Sequence, residues 1–203
     1  VLRVPESARV EIAGRFDVFD ADRPLAVIHP GCSMPARTYP WEGFAAIAGL
    51  LVERVGARVV VTGSATESKL VERVVGAVPP LARGSVRPAA GALSFPGLCA
   101  LIERADLVVT NNTGPMHVAA AVQTPVIALF ALTNPPEQWG PWRAPHRLLN
   151  HDVPCRICYS RICPTTHDCL RLVAPDDVLA AADDLLAERR PAQLALAGAG
   201  SPS

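Results

Sequence analysis

Apolar positions in this chain follow two spacings that alternate along most of its length. Segments dominated by aliphatic and β-branched residues at 25–29, 57–62, 106–110 and 125–130 predict buried strands. Between them, apolar residues recur every three or four positions and predict helices at about 41–54, 67–75, 97–105 and 115–122. Strands that alternate with helices in this way predict an α/β domain with a doubly covered parallel sheet.

The intervening segments carry weaker patterns. Residues 79–91 lack a clear period and are interpreted as irregular, while the Pro- and Trp-rich segment 133–146 is predicted to form a loop over the strand ends. Residues 147–150 are a candidate for a further strand. An amphipathic helix at 175–190, with Val178, Leu179, Ala182 and Leu185 facing inward, is predicted to close the domain.

These patterns divide the chain into three parts. Residues 1–24 are interpreted as an extended lead-in, the remnant of an interdomain linker, because the first convincing core strand begins at 25. The domain itself is assigned to 25–190 and includes a cysteine-rich insertion at 155–172. The small residues of 191–203 predict a flexible tail.

Composition narrows the class of protein. The 203 residues carry 19 basic and 19 acidic side chains without a cationic cluster, which argues against a nucleic-acid partner. No apolar run approaches the roughly 20 residues that span a bilayer, and the first residues do not resemble a signal peptide. We therefore expect a cytoplasmic protein, with a peripheral position at the inner face of the membrane as an option. The start at Val1 rather than Met suggests a piece of a longer protein.

The most informative junction runs from the strand at 106–110 into the helix that follows. Asn112 is expected to cap the turn, and Pro115 suits a first helical turn. Unpaired N–H groups at a helix start attract phosphate, and ligands of open α/β sheets bind beyond the carboxyl ends of the strands. The junction predicts a phosphorylated ligand, with an ordinary capped helix as the alternative.

Four stretches of the chain carry a family resemblance. They are HPGCS at 29–33 with RTYPW at 37–41, TGSATE at 62–67, NTGPMHVAAA at 112–121 with TPVIALF at 124–130, and HDCLR at 167–171. In this order they resemble the heptosyltransferases of glycosyltransferase family 9, which have the two-domain GT-B architecture. The resemblance covers about residues 25–188. It implies a Rossmann-like, doubly wound parallel sheet that forms the C-terminal, nucleotide-sugar-binding half of a GT-B glycosyltransferase.

The resemblance also implies roles for individual residues. The residues that would contact the diphosphate and sugar of an ADP-heptose-like donor are Asn112, Thr113, Gly114, Met116 and His117. Ser33 and Arg37 would reach the phosphates, and Glu67 would accept hydrogen bonds from a ribose hydroxyl. A guanidinium suits a diphosphate and a carboxylate suits hydroxyls, so each role is chemically reasonable. No cofactor is expected.

Two positions depart from the family pattern, and one half of the family architecture is not accounted for. Asn112 stands where the family usually has Asp, and Arg37 where it often has Lys. The acceptor site and the carboxylate that would act as general base belong to the family's N-terminal domain, which residues 1–24 do not supply, so the catalytic residues stay unassigned.

The predicted function is therefore the donor-binding part of a glycosyltransferase. Its acceptor would be a lipopolysaccharide-core-like or other glycan, or a lipid-linked acceptor. A separate N-terminal-type domain or subunit is a candidate partner. The alternatives are a non-catalytic nucleotide-sugar-binding remnant or subunit, and an epimerase domain of GT-B type.

Four cysteines form a separate pattern. Cys155, Cys158, Cys163 and Cys169 could bind Zn²⁺ as four thiolates with His167 as a spare ligand, form disulfides, or stay reduced and structural. The spacing leaves these three alternatives open, because only the first pair has the tight spacing of a zinc knuckle. A catalytic metal is not expected.

Overall fold

A computed structural model of the chain describes residues 2–16 and 22–198. Within these residues, six strands form one sheet in the order β3-β2-β1-β4-β5-β6, and every neighbouring pair is parallel. The strands are β1 (Leu25–His29), β2 (Arg58–Gly63), β3 (Val86–Ala90), β4 (Leu107–Asn111), β5 (Val126–Leu129) and β6 (His146–Leu149). The predicted α/β fold with a Rossmann-like parallel sheet is confirmed.

Helices cover both faces of the sheet. They are α1 (Glu6–Phe16), α2 (Trp41–Val55), α3 (Ser68–Ala77), α4 (Pro80–Arg83), α5 (Phe95–Arg104), α6 (Gly114–Ala121), α7 (Pro136–Trp139), α8 (Asp168–Arg171) and α9 (Pro175–Gly198). One core lies between the sheet and α2, α3 and α9, and the other between the sheet and α1, α5 and α6. Two short 3₁₀ helices, Pro35–Arg37 and Ala65–Glu67, follow β1 and β2.

The strand order reverses between β1 and β4. Chain connections run outward from this pair in opposite directions, so the loops after β1 and β4 separate and leave a crevice at the carboxyl edge. The register aligns His29 with Thr110, which brings the two strand ends side by side. Every residue of both strands is buried, as the apolar segments predict.

The interpretation of 79–91 as irregular is wrong, because this segment contains α4 and the edge strand β3. Only one neighbour, β2, pairs with β3, and its central residues Arg87 and Pro88 are exposed. Proline is tolerated at a sheet edge, where its missing N–H breaks no ladder. An exposed edge strand therefore lacks the continuous apolar run that identified its neighbours.

The extended lead-in expected at 1–24 differs from the structure, which has helix α1 at Glu6–Phe16. Val4, Ala8 and Ile12 are buried against α5 and the sheet, so this segment is part of the second core. The closing helix α9 also continues past the expected end at 190 to Gly198. Residues 1, 17–21 and 199–203 lie outside the described part, and the linker and tail assignments stay predictions. None of the described helices is long and apolar enough to cross a bilayer.

We predict that truncating Ile12 destabilises the domain, because Ile12 is 3% exposed within the second core. Ile12→Ala should lower the free energy of unfolding by about 2–4 kcal/mol, as large-to-small core substitutions do. Val10→Ala is the matched control on the same helix, since Val10 is 66% exposed, and should change stability by less than about 0.5 kcal/mol. Urea unfolding measures both, and equal small effects would contradict the packing of α1.

Candidate functional site

The crevice between β1 and β4 is held by the buried side chain of Asn111. Its Nδ2 donates a hydrogen bond to the Pro30 carbonyl at 2.9 Å, and its Oδ1 accepts one from the Tyr39 N–H at 2.9 Å. Both partners belong to the loop after β1. The amide of Asn111 thus fixes the first and last parts of that loop against the end of β4.

The N-terminus of α6 opens into this crevice. Thr113 is the N-cap residue and its side chain makes no capping hydrogen bond, so the expectation that Asn112 caps the turn is wrong. Gly114 is exposed, and a Cβ built on it meets no atom within 4 Å. The first N–H groups of a helix have no intrahelical partner. This helix start is therefore sterically open to an anion.

Arg37 is the last residue of the first 3₁₀ helix, on the loop after β1. Its Nε donates to Oγ1 of Thr133 at 3.0 Å, and Thr133 is 2% exposed. Within the described residues, the two terminal guanidinium nitrogens of Arg37 make no hydrogen bond, which leaves them available to an anion. Ser33, on the same loop, is exposed.

Glu67 closes the crevice on the β2 side. Its Oε2 accepts hydrogen bonds from the N–H and the hydroxyl of Ser64, at 2.7 and 2.8 Å, and so completes a capping box. The carboxylate lies directly against Gly31, where a Cβ would be 2.0 Å from Oε1. Only glycine at position 31 allows this approach. Glu67, His29 and Gly114 line one cleft of about 350 Å³, whose apolar side includes Phe95 and Leu98.

His29 is the last residue of β1 and lines the same cleft as Glu67. Its Nδ1 lies 3.0 Å from Oγ1 of Thr62, and the residue is 9% exposed. Burial lowers the pKa of His29 below its ordinary value, although the negative charge of Glu67 acts in the opposite direction. The imidazole is therefore held neutral as a buried support beneath the carboxylate.

A second cleft, of about 600 Å³, lies on the β5–β6 side of α6. His117 lines it together with Glu137, Trp142 and His146. Although His117 is exposed overall, partial burial lowers the pKa of its ring below the ordinary value. Met116 points away from both clefts, because its side chain is 1% exposed and packs in the second core. This placement argues against the predicted contact of the Met116 side chain with a donor.

A buried polar network connects the two sides of α6. The hydroxyl of Thr133 donates to Oδ1 of Asn134 at 3.2 Å, and Nδ2 of Asn112 donates to the same oxygen at 3.1 Å. Three enclosed atoms have no partner among the described residues: Oδ1 of Asn112, Oγ1 of Thr113 and Nδ2 of Asn134. The sequence patterns did not identify Thr133 and Asn134 as site residues. The sequence feature that could have done so is a pair of polar residues before Pro135, shortly after a predicted strand.

The cysteine-rich insertion at 155–172, called the cysteine segment below, makes hydrogen bonds to two loops of the site. Cys158 and Tyr159 donate from their N–H groups to the carbonyls of Leu132 and Thr133, at 3.3 and 2.9 Å. Nε2 of His167 lies 3.0 Å from the Ala36 carbonyl. The segment thus contacts both loops that carry the Arg37–Thr133 hydrogen bond.

The four cysteines of this segment line one cavity of about 280 Å³ together with His167. All six cysteines of the chain are free thiols in this structure, and the described residues contain no His, Cys, Asp or Glu group arranged to hold a metal. Burial alone would raise the pKa of Cys163, but hydrogen bonds from Thr165 and the His167 backbone lower it overall. The contacts of this segment with the two loops are backbone hydrogen bonds from Cys158 and Tyr159 and the side-chain contact of His167.

The family resemblance is confirmed by comparison with known proteins. The model of glycosyltransferase family 9, the heptosyltransferases, matches residues 6–168. Lipooligosaccharide heptosyltransferase 2 of Haemophilus influenzae is 33% identical over 138 residues, which cover 66% of this chain and 40% of that protein. The chain spans less than half the length of this relative.

Two solved structures share the fold. The Escherichia coli ADP-heptose lipopolysaccharide heptosyltransferase II matches with a TM-score of 0.78 and 25% identity, over 93% of this chain and 54% of that one. A family 9 glycosyltransferase from Veillonella parvula matches with a TM-score of 0.80 and 25% identity, over 92% and 53% of the two chains. This chain corresponds to about half of each.

The lowered pKa of His29 predicts a pH-dependent stability. An unfolded histidine titrates near 6.5, so below that pH the unfolded state binds more protons than the folded state. The free energy of unfolding should fall as the pH drops from 7.5 to 5.5, by up to about 1.4 kcal/mol per pH unit for one proton. His29→Gln should flatten this slope in urea titrations. His151→Gln is the control, because His151 is exposed; an equal flattening in both variants would contradict the assignment.

Proposed function

The chain belongs to glycosyltransferase family 9, the heptosyltransferases, and we propose that it is the donor-binding half of such an enzyme. Its ligand would be a nucleoside diphosphate sugar of the ADP-heptose type, seated across the crevice between β1 and β4. The observation that carries this proposal is that the loops after β1 and β4 both offer groups to an anion: the terminal nitrogens of Arg37, which make no hydrogen bond within the described residues, and the open start of α6. Both groups favour a diphosphate.

The two clefts beside α6 suggest how the donor would lie. The nucleoside would enter the cleft lined by Glu67, where the carboxylate faces ribose hydroxyls and Phe95 and Leu98 offer an apolar surface to the base. The diphosphate would then cross the start of α6 at Gly114. The sugar would face the side of α6 that carries His117.

The same groups would assist the chemical step. When the bond between the anomeric carbon and the diphosphate breaks, negative charge grows on the departing diphosphate. The guanidinium of Arg37 and the helix start are already oriented, so they would stabilise this charge without rearranging. Thr133 would keep the guanidinium in place through its hydrogen bond to Nε.

The proposal assigns neither the acceptor site nor the general base to this chain. Relatives are named lipopolysaccharide or lipooligosaccharide heptosyltransferases, so the acceptor class would be a lipopolysaccharide core glycan. The family resemblance assigns the base to an N-terminal half, which would meet this domain over the crevice. A binding module without transfer activity is the second candidate, because the groups proposed to meet the donor account for binding by themselves.

Calorimetric titration with ADP-heptose, ADP and UDP-glucose tests the donor proposal. We expect saturable binding of ADP-heptose and ADP, and weaker binding of UDP-glucose. Adding the N-terminal half of a family 9 enzyme should then produce sugar transfer. Donor binding that persists without transfer in that assembly would favour the binding module, whereas equal affinity for UDP-glucose would contradict the adenine nucleotide.

Gly114→Val should weaken ADP binding by about tenfold or more, because a side chain would stand where the diphosphate crosses the start of α6. The substitution is a clean probe, since a Cβ at Gly114 meets no protein atom within 4 Å. Gly76→Val is the matched control on α3, where a Cβ also meets nothing within 4 Å. Titration of both variants measures the effect. Unchanged affinity in Gly114→Val would remove the helix start from the site.

Arg37→Ala should cost about 1.5–3 kcal/mol of ADP binding free energy, the usual range for a hydrogen bond to a charged group. Arg37→Lys should recover only part of this loss, because an ammonium keeps the charge but not the planar donor set that Thr133 orients. Arg171→Ala, at an exposed position on α8, controls for the loss of one positive charge. An equal loss in Arg171→Ala would indicate a general charge effect rather than a contact.

A further inference from the structure

Two helices, α5 and α6, begin at the cleft that Glu67 lines, but their starts differ. The start of α6 is open at Gly114, whereas a carboxylate from another helix occupies the start of α5. This carboxylate is Glu11 of α1. Its Oε1 accepts a hydrogen bond from the Ser94 N–H at 2.9 Å, and its Oε2 accepts one from the Ser94 hydroxyl at 2.6 Å. The protein thus supplies its own anion to the start of α5.

Ser94 carries this contact into the first turn of α5. It is the N-cap residue, and its hydroxyl accepts a hydrogen bond from the Gly97 N–H at 3.0 Å while it donates to Glu11. The carboxylate lies over Gly97, where a Cβ would be 2.6 Å from Cδ of Glu11. A negative charge is stabilised at a helix start. The hydrogen bonds from Ser94 lower the pKa of Glu11, so the group that holds this turn is a carboxylate.

The contact is one of three that attach α1 along α5. Nε of Arg9 donates to Oε2 of Glu103 at 2.9 Å near the end of α5, and Arg15 donates to the Ala92 carbonyl before its start. The two helices therefore run in opposite directions. Of these three contacts, the one made by Glu11 is the contact whose partner, Ser94, lines the cleft.

Phe95 is the residue that this arrangement would place. It follows Ser94 directly, lines the cleft with Leu98 and is 68% exposed. A ring this exposed is held by few neighbouring atoms, so its position follows from the backbone that carries it. That backbone is the first turn of α5, which Glu11 and Ser94 hold.

We infer that Glu11 is a positioning residue for the nucleobase of the donor: it fixes the start of α5 and thereby the apolar wall that Phe95 offers to the base. The inference rests on the proposed function, which seats the nucleoside in this cleft. Glu11 itself meets no part of the ligand in this arrangement. Helix α1 is consequently part of the machinery that shapes the cleft, although it precedes every strand of the sheet.

Glu11→Ala should lower the affinity for ADP by about fivefold or more in calorimetric titrations, while the affinity for inorganic pyrophosphate stays within about twofold, because pyrophosphate has no base. Glu11→Gln should lose less, since its amide oxygen can still accept from the Ser94 N–H. Arg9→Ala is the matched control. It removes the attachment of α1 to Glu103 at the far end of α5 and should leave the affinity for ADP within about twofold.

A double-mutant cycle tests whether Glu11 acts through Phe95. Phe95→Ala should itself weaken ADP binding, and its exposure makes it a mild change for the fold. Adding Glu11→Ala to Phe95→Ala should then cost no more than about twofold further, because the wall that Glu11 positions is already absent. Urea unfolding of each variant establishes that it is folded under the conditions of the titration.

Four outcomes would overturn the positioning role while ADP binding by the unmodified chain upholds the proposed function. They are unchanged ADP affinity in Glu11→Ala, equal losses for ADP and pyrophosphate, an equal loss in Arg9→Ala, and losses that multiply in the double variant. If the unmodified chain binds neither ADP nor pyrophosphate, the proposed function is overturned and the positioning role with it.

Discussion

The hydrogen bonds of the Asn111 amide are the interaction on which the geometry of the crevice depends. A parallel sheet whose order reverses between β1 and β4 must send the loops after these strands in opposite directions. Asn111, fully buried at the end of β4, binds the loop after β1 at Pro30 and again at Tyr39. The 3₁₀ helix with Arg37 lies between these two attachment points, so one side chain holds both ends of the loop that carries it.

Two further devices keep the charged groups in place. The cysteine segment contacts the Arg37 loop through His167 and the 130–135 loop through Cys158 and Tyr159. On the other side, the capping box of Ser64 places the Glu67 carboxylate against Gly31. The groups proposed to meet the donor are thus preorganised by hydrogen bonds within the protein before any ligand arrives, which is what stabilisation of a developing charge requires.

Arg37 belongs both to the proposed diphosphate site and to a buried polar network. In the proposed function, its terminal nitrogens and the start of α6 would hold the diphosphate. Its Nε begins a chain of hydrogen bonds that runs through Thr133 and Asn134 to Asn112.

The amino-acid sequence alone predicted the central strands β1, β2, β4 and β5 to within about one residue at most ends, because strands covered on both faces need unbroken apolar runs. The family motifs singled out Arg37, Glu67 and Gly114, whose roles toward a donor stay predictions. The sequence missed β3, whose exposed Arg87 and Pro88 suit an edge. It also missed α1, whose buried residues pack in the second core with α5 and the sheet. Only the tertiary structure decided that Met116 belongs to the core and that Asn134 faces Asn112, 22 residues away. Periodicity records which face of an element is buried, whereas the partner of a polar side chain depends on how distant strand ends are brought together.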